Sequence, residues 1–444
     1  MSTVNRSDAD GPMGESIADQ RITRRAALAL GGALAASAAS APLLSAVSMT
    51  GRAEAAALSG HLVIWTFFDQ VKLMATQFQK KNPGVTVDVK VFPGNDYETK
   101  IRLALQTGQS TPDIFDLERG YIGKFLDTPF VEDLSALGAE ALVKDYIPYA
   151  AALGRDHNGI IRAVTDNCSP GGFWYRRDVA ATYLGSGDPA KVSAMVSSWD
   201  KIIALGTKVA QASKGQVHLL ASYNDALMVN QYSTQPWVNG LKLTIDPAWN
   251  GVLDTARQIR AHGVDAKIDA AFSPAWGAAW NNGSVVMFAW PSWIGFMIDK
   301  KKLAGKWAIA TAPKGYYSGG TYRAIYAKSK NKALAYEFVK FIASPEWQNY
   351  NLKQTLNMPA LRSVFTSNAE TFHDPLLGNQ PVLKTYYAIA EKIPPHRPDK
   401  YSEAILALFG GIVGEMIRTN QPNQWAFDQL KKRVRNAYPE LTVS

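Results

Sequence analysis

A single cysteine, Cys168, stands among the 444 residues, so no disulfide can form within the chain. Whatever stabilises the fold must come from its packed core and its hydrogen bonds. The six histidines (His61, His157, His218, His262, His373, His396) are scattered, with no helical pair and no Cys/His cluster, which excludes the usual zinc spacings. No metal site is expected. A phosphate-cradling glycine loop and a Gly-x-Ser-x-Gly elbow are both missing. Ser198-x-x-Lys201 and Ser329-x-x-Lys332 stand without the companion motifs of serine-lysine acylases. Neither catalysis nor a bound cofactor is therefore expected. Beyond residue 55 no apolar run approaches the roughly 18 to 20 residues of a membrane span. The net charge of +9 is spread along the chain, and its densest cluster, Lys300-Lys301-Lys302, reads as the end of a helix, where cations suit the dipole. Nucleic acid is not an expected partner.

What is present begins with an address. Thr23-Arg24-Arg25 opens an uncharged Ala/Gly/Ser/Leu run from Ala26 to Gly51, and Ala53-Glu54-Ala55 has the small-x-small pattern of a cleavage site. Paired arginines before a weakly apolar, glycine-containing run read as a twin-arginine export signal over residues 1–55. Gly31, Gly32 and Pro42 dilute the run too much for a spanning helix. The expected product is a soluble periplasmic or secreted protein, without a lipid anchor because no cysteine lies near the cleavage site.

The remaining chain is longer than one core usually serves, so two lobes are expected. Leu62 to Phe67 is a short β-rich run. Val71 to Lys81 has helical spacing (Val71, Met74, Ala75, Phe78), and Val85 to Phe92 alternates as a strand. Asp96 caps a helix to Thr107, and Pro112 introduces a strand over Asp113 to Leu117. Strands alternating with crossover helices give an α/β fold with a parallel sheet, whose ligands sit at the carboxyl ends of the strands. A second set follows: strands at Gly172–Tyr175, Val217–Ser222, Ser284–Ala289 and Trp307–Ala312, and helices at Trp199–Ala210, Asn331–Ser344 and Ala404–Tyr438.

Asp116 and Glu118, two apart on a strand, face one side. Such a pair could be the acid and nucleophile of a glycosidase, a solvated strand end, or a set of acceptors for ligand hydroxyls. The twelve tryptophans favour the last reading, since Trp65, Trp237, Trp290 and Trp293 fall at expected loops or strand ends. An indole gives a sugar ring an apolar platform while carboxylates and arginine meet its hydroxyl rim.

The ordered set Leu62-Val-Ile-Trp65, Asn82-Pro-Gly84, Gly108-x-x-x-Pro-Asp-Ile114, Trp174-Tyr-Arg-Arg-Asp178, Ser198-Trp199-Asp200, Met287-x-x-x-Pro-Ser-Trp293, Ala310-x-Ala-Pro313, Gly319-Gly320 and Ala335-x-x-Phe-Val-Lys-Phe-Ile-Ala-Ser-Pro-Glu346 resembles the extracellular solute-binding proteins of ABC importers, in the maltose-binding-like family. The resemblance covers nearly all of the chain after the signal. It implies a two-lobed periplasmic-binding-protein fold with a ligand cleft and hinge closure, lobe 1 being 59–164 plus 321–365 and lobe 2 being 165–320 plus 366–444. Crossings fall near Thr165, Gly320 and Leu361 to Ser363. Matched position by position, it implies ligand contacts at Asp69, Glu118, Arg119, Asp166 and Trp293, with Arg397 and Tyr401 from the last segment. The usual proline before the first hinge acid is replaced by Val164-Thr165.

The expectation is a monomeric binder of a small carbohydrate-like solute, handed to the permease of an ABC importer. Two rivals remain: a secreted hydrolase using Asp116 and Glu118, and a binder of polyamines or other non-sugar solutes. For export, Arg24→Lys with Arg25→Lys should hold the precursor in the cytoplasm, because the guanidinium pair is what the receptor reads. Fractionation checks this, and ordinary processing near Ala55 in the double mutant would contradict it.

Overall fold

The computed structural model describes residues 57–444; the export signal, with Arg24 and Arg25, lies outside the described residues. The strands are β1 (Ser59–Thr66), β2 (Gly84–Val91), β3 (Ile114–Glu118), β4 (Ala163–Val164), β5 (Asn167–Cys168), β6 (Gly171–Arg176), β7 (Val238–Asn239), β8 (Lys242–Leu243), β9 (Met287–Pro291), β10 (Trp307–Ala310), β11 (Thr321–Ile325) and β12 (Met358–Pro359). A five-stranded sheet has the order β2-β1-β3-β11-β4 and a three-stranded sheet the order β10-β6-β9. In the first, β1 pairs in parallel with β2 and β3, while β11 returns antiparallel. In the second, β6 is antiparallel to both neighbours.

The first sheet follows from its sequence pattern. Leu62 and Ile64 of β1 are fully buried, and the helix Val71–Lys81 lays Val71, Met74, Ala75 and Phe78 against the sheet. The helix Gly94–Thr107 buries Tyr97, Ile101, Ala104 and Leu105 and stops at Gly108, whose φ of 69° is left-handed and suits glycine. Asp96 is not its cap. The helix begins at Gly94 behind Pro93, leaving Asp96 inside the first turn, where a carboxylate still complements the dipole. The helix Lys332–Ile342 covers the sheet with Ala335, Phe338, Val339 and Ile342.

Three further expectations are corrected. Val217 to Ser222 is not a strand but a run of single bridges. His218 pairs toward Val285 and Leu220 toward Asp265, so its backbone groups are satisfied by alternating sides. Lys300 to Lys302 begins a helix, capped by Asp299, whose carboxylate accepts from Lys301 and Lys302 backbone N–H. That carboxylate offsets the cost of cations at a positive helix end. The last helical stretch is two helices, Ser402–Thr419 and Asn423–Ala437, broken where Asn420 turns left-handed before Pro422.

The two sheets are joined by crossing segments, and two of these zip together as β5 paired antiparallel with β12. The first crossing is fixed by a buried polar cluster. Arg323, on β11, is fully buried. Its Nη1 lies 2.5 Å from Asp166 Oδ1, and its Nε lies 3.2 Å from Asp116 Oδ1, at ion-pair distance without hydrogen-bond alignment. Cross-strand register places Arg323 opposite Asp116. Thr66 Oγ1 donates to Asp116 at 2.6 Å, while Trp347 Nε1 and Asn351 Nδ2 donate to Asp166 at 2.9 and 2.8 Å. Burial pushes the Asp116 carboxyl above its usual range, against the lowering pull of Arg323. Removing the arginine would leave two carboxylates in the core without counter-charge. Arg323→Met should therefore cost about 3–5 kcal/mol, read from the denaturant midpoint. A loss below 1 kcal/mol would show that the acids take up protons instead of relying on Arg323.

Candidate functional site

The end of β3 delivers the residues nearest to a functional cluster. Glu118 turns its carboxylate back, Oε2 accepting from the Gly120 backbone N–H at 2.5 Å, and burial raises its pKa against the opposing field of Arg119. Arg119 reaches the other way and pairs with Glu403, on the first turn of the helix Ser402–Thr419. The Arg119 guanidinium also lies 5.7 Å from the Tyr232 ring and 5.8 Å from the Tyr317 ring. Tyr317 is stacked between two tyrosines, Tyr232 at 4.0 Å and Tyr149 at 4.6 Å between centroids. These residues come from distant parts of the chain and from both sheets' bodies. The cation and the aromatic faces form one assembly.

Beside this assembly lies a cavity lined by Arg119, Tyr232, Trp237, Tyr317, Arg397 and Glu403. Trp237 forms part of its wall, its own ring stacked on Trp249 at 5.1 Å and edge-on to Phe409 at 5.0 Å. Arg397 lines the cavity, and its Nη1 donates to the His157 carbonyl at 2.9 Å. Asp399 has both oxygens engaged by its own turn: Tyr401 and Ser402 N–H on Oδ1, and the Ser402 hydroxyl on Oδ2. At this cavity two buried donors make no aligned hydrogen bond, Arg119 Nε–H and the Tyr232 hydroxyl, the latter next to the Tyr317 hydroxyl. Burial holds the Tyr232 phenol well above its usual pKa, so it is a hydroxyl donor at any working pH.

Of the residues singled out in the sequence, Arg119, Trp237 and Arg397 meet at this cavity. Glu118 stands beside Arg119. Asp69 is exposed and ion-paired with Lys72 at 2.6 Å, away from the cavity wall. Asp116 and Asp166 are buried with Arg323. Tyr401 is buried, donating to Glu440 at 3.1 Å. Trp293 lies against the second crossing, its Nε1 donating to the Ser318 carbonyl at 2.9 Å and standing 3.0 Å from where a Cβ on Gly319 would be. Gly319 and Gly320 have φ of 78° and 130°, conformations that favour glycine. Tyr232, Tyr317, Glu403 and Tyr149 were missed. The local signal for Glu403 was legible: Asp399 three residues before Ser402 is a helix-start pattern that brings Glu403 into the first turn.

A sequence pattern describing the family "Bacterial extracellular solute-binding protein" matches residues 68–349, well over half of the chain. The fold is similar to a crystal structure described as extracellular solute-binding protein family 1 (21% identity, TM-score 0.75, 85% of this chain and 99% of that one). It also resembles the GacH receptor of Streptomyces glaucescens, solved unliganded and with acarbose (18%, TM-score 0.69, 87% and 100%). The galacto-N-biose/lacto-N-biose I-binding protein of an ABC transporter from Bifidobacterium longum, in complex with lacto-N-biose, is a third similar structure (16%, TM-score 0.71, 87% and 99%).

The Arg119–Glu403 pair links the end of β3 to the helix Ser402–Thr419, with side chains 14% and 31% exposed. Glu403→Gln should loosen that bridge and enlarge the radius of gyration of the unliganded protein in small-angle scattering. An unchanged radius would mean that the stacked tyrosines alone hold the bodies together.

Proposed function

Because the chain belongs to the bacterial extracellular solute-binding protein family, its activity is to bind a solute, and we propose that this solute is a small carbohydrate held in the cavity between Arg119 and Trp237 and delivered to the permease of an ABC importer. The single observation behind this reading is the composition of that cavity. Aromatic rings (Tyr232, Trp237), with Tyr317 stacked behind Tyr232, stand beside donors without an aligned partner (Tyr232 hydroxyl, Arg119 Nε–H) and a carboxylate, Glu403. Sugar rings offer the complementary pattern of apolar C–H faces and hydroxyl rims.

Each residue has a role in this scheme. Arg119 donates to the ligand's hydroxyls and Glu403 accepts from them, exchanging part of their mutual pairing for ligand bonds. Tyr232, with the face turned away from Tyr317, and Trp237 stack, and Arg397 closes the rim. Glu118 tunes Arg119 from the lobe 1 side, and Asp69 and Tyr401 lie outside the first contacts. Asp166, anchored with lobe 1, ends the rigid part of the first crossing. Closure then turns about the residues after it and about Gly319-Gly320, with Trp293 pressed on the second pivot. The lobes are 59–164 with 321–365 and 165–320 with 366–444. Export by the twin-arginine route to the periplasm or exterior, and action as a monomer, complete the reading.

The hydrolase alternative loses its pair in this scheme. Asp116 is fully buried on Arg323 and Thr66, so it cannot reach a glycosidic bond beside Glu118. A polyamine would find no free carboxylate there, since Glu403 is paired with Arg119 and Asp399 is engaged by its own helix start. A thermal-shift screen of mono-, di- and trisaccharides, polyols and polyamines tests the reading. At least one carbohydrate should raise the melting temperature by mass action, remain uncleaved on chromatography, and lose at least tenfold in affinity in Tyr232→Ala, the scale of one lost aromatic anchor. A response to polyamines alone would overturn it.

A further inference from the structure

A second cavity is lined in part by Trp293, the residue packed on Gly319. It shares no lining residue with the first. Trp174, Trp293, Phe372 and Tyr386 give it aromatic walls, and Leu356, Leu376 and Val382 extend the apolar surface. Trp174 spends its indole N–H on the Pro291 carbonyl at 3.1 Å, so what it offers a guest is ring surface.

Two polar groups in this apolar setting are incompletely satisfied. Asp374 is 8% exposed. Its Oδ1 accepts from the Leu376 backbone N–H at 2.9 Å, and its other oxygen takes no hydrogen bond among the described residues. Tyr386 is 1% exposed; the Trp174 indole neighbours its oxygen as a donor, and its own O–H donates to no acceptor among the described residues. A buried hydroxyl that donates to nothing costs free energy. The remaining charge on the wall is Lys300, an exposed side chain whose field acts on Asp374 from the rim. Aromatic faces around one carboxylate are complementary to an organic cation: the rings' negative faces and the acid attract the same charge. An anionic guest would have to be buried beside Asp374, and a neutral one would leave that carboxylate uncompensated.

We propose that this second cavity binds a small organic cation, an alkyl- or arylammonium, with its ammonium on Asp374 and Tyr386 and its apolar body against Trp174, Trp293 and Phe372. Lys300 acts as the resident counter-charge that the guest displaces. The cavity lies against Thr355 to Met358, the run that enters crossing strand β12. Leu356 in that run has a left-handed φ of 61°, a conformation that side chains other than glycine adopt at a cost.

The test uses calorimetric titration of the full chain with 2-phenylethylammonium and with its anionic counterpart 3-phenylpropionate. The ammonium should bind and the carboxylate should not. Asp374→Asn, which keeps an acceptor for the Leu376 N–H, should weaken the ammonium about tenfold or more, the scale of one lost charged hydrogen bond. Tyr386→Phe should weaken binding while leaving the melting temperature nearly unchanged, since the lost O–H donates to no residue of the protein. Lys300→Met should tighten binding by removing the competitor. Lys208→Met, on a surface remote in sequence from the lining of this cavity, should leave the ammonium affinity unchanged. The proposal is overturned if the ammonium gives no binding at millimolar concentration, if binding survives both Asp374→Asn and Tyr386→Phe, if Lys208→Met abolishes it, or if 3-phenylpropionate binds and Lys300→Met is what abolishes that binding.

Discussion

Arg323 sits between Asp116 and Asp166 with no water-exposed surface on any of the three side chains beyond 1%, and the arrangement of the two lobes depends on it. One cation serves two acids, and the excess negative charge is spread over donors from Thr66, Trp347 and Asn351. Thr66 of β1 holds Asp116, while Asp166, at the start of the first crossing, is held by Arg323 of β11 and by Trp347 and Asn351 of the helix Pro345–Thr355. Related proteins of the family are expected from the sequence resemblance to offer an acid here to the ligand; in this chain the acid is turned inward and used for anchoring.

That substitution of roles shapes the binding cleft. With Asp116 and Asp166 withdrawn, the charged groups left at the first cavity are mutually engaged, Arg119 with Glu403 and Asp399 with its own helix start. A site whose charges neutralise one another is suited to a guest without net charge, bound by stacking and by hydroxyl hydrogen bonds. The second cavity has the opposite character: an unshared carboxylate among rings. The two cavities share no lining residue, so the protein presents two chemically different surfaces to solutes.

Much of this was legible in the chain. The alternation of Leu62 to Phe67, Val85 to Phe92 and Asp113 to Leu117 with helical runs gave the first sheet, because each apolar period matches one buried face. Val217 to Ser222 failed because a short apolar run does not reveal whether its backbone will pair with one neighbour over its length or with two in turn. The long terminal helix was split by Asn420 and Pro422, a break that Pro422 announced and periodicity overrode. At the site, Arg119, Trp237 and Arg397 line one cavity, Arg119 and Arg397 having been singled out by the resemblance and Trp237 by its residue type. The misreading of Asp116 arose from treating period two as exposure: Asp116 and Glu118 do share a side of β3, but at Asp116 that side is occupied by the Arg323 side chain, which reaches it from β11, more than 200 residues later. Tyr232 and Tyr317 were invisible for the same reason, since their meaning lies in a stack assembled from three separate segments, and no local pattern encodes it.

The lone cysteine has a bearing on how the molecule can be observed. Cys168 sits on β5, 4% exposed, its thiol donating to the Pro359 carbonyl at 3.0 Å where two crossings are zipped together, and burial pushes its pKa far up. Such a thiol is chemically silent while the zipper is intact. Maleimide dyes directed at cysteines introduced on the lobe surfaces would therefore label those positions alone, without removal of the native residue, and fluorescence transfer between them would follow lobe motion in single molecules. The native thiol keeps a separate record: alkylation there times the unzipping of the joint itself.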